Sequence, residues 1–104
     1  MLLEDPVVHD RVWLDEGGLL HVGARWVPLP DTEWRLVDEL FTHLGHLVPT
    51  ADLCRAGWPD RPMREAPLHV TMTRMRKRLT PLGLTITTVR GRGFVLSTDE
   101  PVHS

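Results

Sequence analysis

The sequence predicts an α+β domain: a small N-terminal antiparallel sheet, a core of three helices and a C-terminal β-hairpin. Three observations carry this. Leu68, Met72, Met75 and Leu79 recur at i, i+4, i+7 and i+11, a single apolar stripe along one side of a helix. Leu84 to Val89 alternates with a period close to two and is rich in β-branched residues; Phe94 to Leu96 supplies a return strand after Arg90-Gly91-Arg92-Gly93. Upstream, short apolar runs are divided by glycine-bearing reversals, as in a small meander.

In chain order, residues 1–10 show no clear period and are expected to be a flexible lead-in, with the domain at 11–98 and a flexible tail at 99–104. Three short strands are expected at Arg11–Leu14, Leu19–Val22 and Arg25–Pro28. Asp15-Glu16-Gly17-Gly18 marks the first reversal and Gly23-Ala24 the second. Trp13 and Trp26 are expected to cover the first helix from this sheet. That helix opens at Pro30-Asp31-Thr32-Glu33, with Asp31 as the capping acceptor, buries Trp34, Val37, Leu40, Phe41 and Leu44, and ends at Gly45. Leu47-Val48 is a minimal strand, and a second helix runs from Pro49-Thr50 to about Ala56, packed inward by Leu53 and Trp58. Residues 57–66, with two prolines and two charges of each sign, form a loop longer than a simple helix-turn-helix turn. Pro67 falls in the first turn of the third helix, where its missing N–H costs nothing.

The 104 residues make one domain with a single modest core. An apolar content of 41% and a charged content of 25% are those of a soluble globular protein. No apolar run approaches the ~18 residues that span a bilayer, so no membrane partner is expected. The lone Cys54 excludes an internal disulfide, fits a reducing cytoplasm and reads as a small core residue. His43 and His46 stand three apart, but nothing nearby completes a metal set. Without a phosphate-binding loop, a nucleophile motif or a carboxylate pair, neither cofactor nor enzyme activity is expected.

The net charge of −2 conceals a strong asymmetry. Residues 1–54 hold three basic groups and ten acidic ones; residues 55–98 hold nine basic and two acidic. Local field rather than net charge governs docking on phosphate, and the basic half contains the third helix and the hairpin. At about 100° per residue, Val70, Thr73, Arg74 and Lys77 lie opposite the apolar stripe, with His69 and Arg76 on one flank and Thr71 nearer the stripe. Guanidinium forks, small hydroxyls and a branched aliphatic on one exposed face suit the major groove of DNA. The glycines of the hairpin let the backbone reverse and carry two arginines to a thin tip, which suits the narrow minor groove.

The order helix, turn, TVRGRGF resembles the winged-helix DNA-binding domain of OmpR/PhoB-type bacterial response regulators. LPDTEWRLVDELF is similar to that family's first helix and LVPTADLCRAGW to its second, so the resemblance covers roughly residues 11–97. It implies a winged helix-turn-helix fold and a sequence-specific double-stranded DNA-binding regulator in the bacterial cytoplasm, associated with the nucleoid. The implied recognition-helix contacts are His69, Val70, Thr71, Thr73, Arg74 and Arg76, and the implied minor-groove residue of the wing is Arg90. Beyond the resemblance, Lys77 is expected to hold a phosphate, and Thr88, Gly91 and Arg92 of the wing are expected to join the DNA contact. The resemblance further implies dimerisation on tandem half-sites and makes the 57–66 loop a candidate surface for RNA polymerase, the alternative being a passive solvent loop; monomers are expected in free solution.

Two departures stand out. The family's Thr-Val-Asp-Val-His is here Pro67-Leu68-His69-Val70-Thr71, so base preference is expected to differ. The chain also shows no receiver domain, hence no built-in phosphorylation switch; it is either free-standing or part of a longer regulator. Six or so neutralised phosphates imply a slope of log K on log salt of roughly −5. The rival reading is a winged-helix module that docks on RNA polymerase or another regulator.

Overall fold

The computed structural model describes residues 12–61 and 65–98. Strands β1 (Val12–Leu14), β2 (Leu19–Val22) and β3 (Arg25–Pro28) come first. Helix α1 (Asp31–Thr42), strand β4 (Leu47–Pro49), and helices α2 (Thr50–Gly57) and α3 (Glu65–Leu79) follow, and then strands β5 (Leu84–Val89) and β6 (Gly93–Thr98). A 3-10 turn at Thr80–Leu82 joins α3 to β5. The expected lead-in, Arg11 and the tail lie outside the described residues.

The first three strands form an antiparallel meander, β1-β2-β3. Alternation sends Val12 and Leu20 into the core, with Leu14, Val22 and Val27 packed against it. The intervening residues must then face outward. Trp13 is 47% exposed and Trp26 60% exposed, so neither covers α1, contrary to the expectation from sequence. They stand instead in register with His21 on the outer face, where Trp13 stacks on His21 at 3.8 Å and 3°. The contact between sheet and helix comes from α1: Trp34 Nε1 donates to the Asp15 carbonyl at 3.1 Å.

Asp15 also organises the β1–β2 reversal. Its Oδ1 accepts from the amides of Gly17 (2.8 Å) and Leu19 (3.1 Å), and its Oδ2 lies 2.8 Å from His21 Nε2. The bond to His21, aided by these amides, holds the Asp15 carboxyl below its ordinary value of 3.8. A depressed carboxyl supports the fold above its unfolded value and loses that support as pH falls through its folded one. Asp15→Asn is therefore expected to lower the thermal midpoint at neutral pH. The difference from wild type should close in acid well below pH 3.8. A gap that persists there would assign the effect to something other than ionisation.

The three helices close over one core. The predicted α3 stripe, Leu68, Met72, Met75 and Leu79, is at most 1% exposed. Leu36, Val37 and Leu40 of α1 are fully buried, and Trp34, Phe41 and Leu44 pack partly against them. Leu36 was not expected inside. It faces α2, where a Cβ on Gly57 would stand 3.1 Å from its Cδ2. Leu53 is buried as expected, Cys54 lies in the core, and Trp58 packs at its margin. Asp31 does not cap α1: Pro30 is the N-cap, without a side-chain capping bond, and Asp31 is already the first helical residue.

The hairpin is not a two-stranded ribbon. Its sheet has the order β4-β6-β5, with β6 central. Leu47, Val48 and Pro49 pair with Val95, Phe94 and Gly93. Beyond the ladder, Gly45 N donates to Leu96 O at 2.8 Å and Thr50 N to Arg92 O at 3.1 Å. The wing is thereby anchored to the chain on both sides of β4.

Candidate nucleic-acid interface

Helix α3 turns its apolar stripe to the core and its other side to solvent. His69, Val70, Thr73, Arg74 and Lys77 are exposed, Val70 by 57%. Thr71 is 7% exposed and lies on the core side, as the helical wheel indicated. Thr73 Oγ1 donates to the His69 carbonyl at 3.0 Å, which leaves its lone pairs outward. His69 leans on Phe94 of the wing, ring centroids 5.6 Å apart.

At the wing tip Arg90, Gly91 and Arg92 are exposed. Arg92 N donates to Val89 O at 2.9 Å to close the reversal, and Gly91 takes φ of +74° there. Among the described residues, no partner pairs with the side chains of Arg74, Lys77, Arg90 or Arg92. A cleft of about 330 Å³ lies between the start of α2, α3 and the wing. Thr50, Ala51, Glu65, His69, Thr88 and Arg92 line it, so the wing tip, α3 and the start of α2 border one surface.

Two cations of the basic run behave differently. Arg76 is partly buried and reaches the wing: its Nε donates to Ile86 O at 3.1 Å and its Nη2 to Thr88 Oγ1 at 2.9 Å. Arg78 Nη1 donates to Glu33 Oε1 at 2.5 Å, and Glu33, on α1, is 4% exposed. The sequence reading missed this pair. A signal was present, because Glu33 stands at i−4 and i−7 from Val37 and Leu40, on the buried stripe. An acid in that register needs a buried cation, and α3 supplies it.

No group of three metal-ligating side chains occurs among the described residues. The described helices include none long and apolar enough to cross a membrane. Of the 57–66 loop, residues 62–64 lie outside the description; Arg61 N closes a turn onto Trp58 O at 3.2 Å.

Comparison with known proteins agrees with the winged-helix fold. The family model described as transcriptional regulatory protein, C terminal, matches residues 23–96. The structure is similar to the C-terminal domain of the nisin resistance regulator NsrR, a lantibiotic response regulator. They are 33% identical with a TM-score of 0.73, over 86% of this chain and 95% of that one. Similar in fold are two domains solved with DNA. The response regulator AdeR DNA-binding domain, in complex with an intercistronic region, is 18% identical with a TM-score of 0.71, covering 85% of this chain and 94% of that one. The Klebsiella pneumoniae RstA DNA-binding domain, in complex with the RstA box, is 22% identical with a TM-score of 0.68, covering 84% and 91%. No curated protein matches the sequence significantly.

Proposed function

Because the chain belongs to the C-terminal domain family of transcriptional regulatory proteins, DNA-binding domains of the winged-helix fold, we propose that it is a sequence-specific reader of double-stranded DNA. It lays α3 in the major groove and carries Arg90 or Arg92 into the adjacent minor groove. The observation that carries this reading is the set of exposed cations, Arg74, Lys77, Arg90 and Arg92, that have no partner among the described residues, displayed on α3 and at the wing tip.

Arg74 offers a planar fork for guanine or phosphate, Val70 a methyl surface for thymine, and Thr73 an outward acceptor. Lys77 holds phosphate as a point charge. The wing arginines enter where a narrow groove concentrates negative potential. That the similarly folded AdeR and RstA domains were solved in complex with DNA supports duplex DNA as the ligand. With Arg76 and Arg78 turned inward, roughly four phosphates remain to be neutralised, which gives a salt slope of about −3.5 rather than −5. Two copies on tandem half-sites about one helical turn apart are the expected assembly on DNA. The 57–66 loop, on the far side of α3 from the wing in sequence, remains the surface proposed for RNA polymerase.

Selection of bound duplexes from a randomised pool tests the proposal. An enriched motif is expected, and Arg74→Ala should weaken the winners by about 1–3 kcal/mol while relaxing one base position. Recovery of only salt-sensitive, sequence-blind binding would overturn specific recognition in favour of a protein-docking module.

A further inference from the structure

We propose that Arg76 is a positioning residue, which orients the Thr88 hydroxyl as a hydrogen-bond donor to a DNA phosphate instead of touching the backbone itself. The inference rests on the DNA-binding reading above and assigns Arg76 a different role from a direct phosphate contact.

Arginine has donors only, so in the 2.9 Å bond from Arg76 Nη2 the Thr88 Oγ1 is necessarily the acceptor. The hydroxyl proton of Thr88 is then left to point away from the guanidinium. Thr88 is exposed and lines the cleft shared with Thr50, Glu65, His69 and Arg92; Arg92 and the Thr88 hydroxyl stand on its wing side, away in sequence from the single carboxylate, Glu65, at the start of α3. A hydroxyl whose lone pair is already engaged by a cation is also a stronger donor.

The second bond of Arg76 fixes the first. Strand β5 is an edge of its sheet, and the Ile86 carbonyl takes Arg76 Nε at 3.1 Å. Two donors of one rigid plane, set on Ile86 O and Thr88 Oγ1, lock the guanidinium against the open side of β5. They also fix the distance between α3 and the wing. A lysine could satisfy one of these acceptors but not both with the same geometry.

The test is a double-mutant cycle on binding to a short labelled duplex of random sequence, because phosphate contacts need no operator. Thr88→Val and Arg76→Met are each expected to weaken binding about tenfold, the scale of one hydrogen bond to a charged group, and the double variant scarcely more. Thr88→Ser should bind like wild type. Arg76→Lys, which keeps the charge, should not restore affinity. None of them should flatten the salt slope by as much as half a unit. Chemical unfolding of each variant confirms that the comparison is between folded proteins.

Additive losses, with rescue by lysine and a slope flattened by about 0.9 in Arg76→Met, would overturn the proposal and make Arg76 a phosphate contact in its own right. A wild-type chain that retains no duplex even at low salt would overturn the DNA-binding reading, and this inference with it.

Discussion

Arg78→Ala is expected to destabilise the domain by about 3 kcal/mol, the lower end of the cost of stranding a buried charge. The lower end applies because Arg78 keeps about a third of its side chain in water, whereas Glu33 keeps only 5% of its own. The loss falls on Glu33, which would remain in the core against α3 without a cation. For a domain of this size such a loss lowers the thermal midpoint by roughly 12–24 °C. Replacing both partners, as Glu33→Met with Arg78→Met, should recover most of it, because no charge is then left unpaired. Thermal or urea unfolding of the three variants measures this. A stable Arg78→Ala protein with a flattened salt slope for DNA would show that Arg78 faces phosphate and that its pairing with Glu33 matters little.

Gly93→Ala should be the most damaging change in the wing. A Cβ there would stand 2.0 Å from Val48 O and 2.9 Å from Pro49 Cα, both backbone atoms of β4. Backbone cannot swing aside as a side chain can, so β4 and β6 must part or the whole strand must shift. The expected cost is on the order of 4 kcal/mol, among the larger effects of single substitutions. Gly91→Ala is the control. Nothing lies within 4 Å of its Cβ, and the penalty is only the left-handed backbone at φ of +74°, about 1 kcal/mol. Equal losses for the two glycines in an unfolding experiment would mean that β4 does not hold the wing as closely as the structure places it.

How much of this was legible in the sequence depends on the range of the interaction. The α3 stripe is a local, periodic signal, and every member of it is buried. The alternation of β5 and the glycines of the tip are equally local, and the family resemblance rests on those stretches. The partner of β4 was not legible, because three residues have no readable period and the pairing strand lies on the far side of α2 and α3. Trp13 and Trp26 misled for a different reason. In Val12-Trp13-Leu14 all three residues are apolar, so alternation alone does not say which parity faces inward. Packing chose the aliphatic residues, and Trp13 found His21 instead. The site divides the same way. The wheel placed Val70, Thr73, Arg74 and Lys77 outward, and they are exposed. It could not reveal that Arg76 and Arg78 are engaged by β5 and α1, since those acceptors lie 10 and 45 residues away.

The central place of β6 in its sheet bears on how the protein is made. β4 and β5 flank it and share no ladder, so neither can pair until β6 has emerged. Phe94 and Leu96, which it adds to the core, are 1% and 0% exposed and belong to the last described strand. On a ribosome the helices and the first sheet leave the exit tunnel before the residues that seal them. A nascent chain halted before residue 94 thus carries all the α3 cations but has no finished wing to aim them. Long-range pairing of this kind is also the slow part of folding. The sheet that carries the wing is consequently completed only with the closing strand, β6.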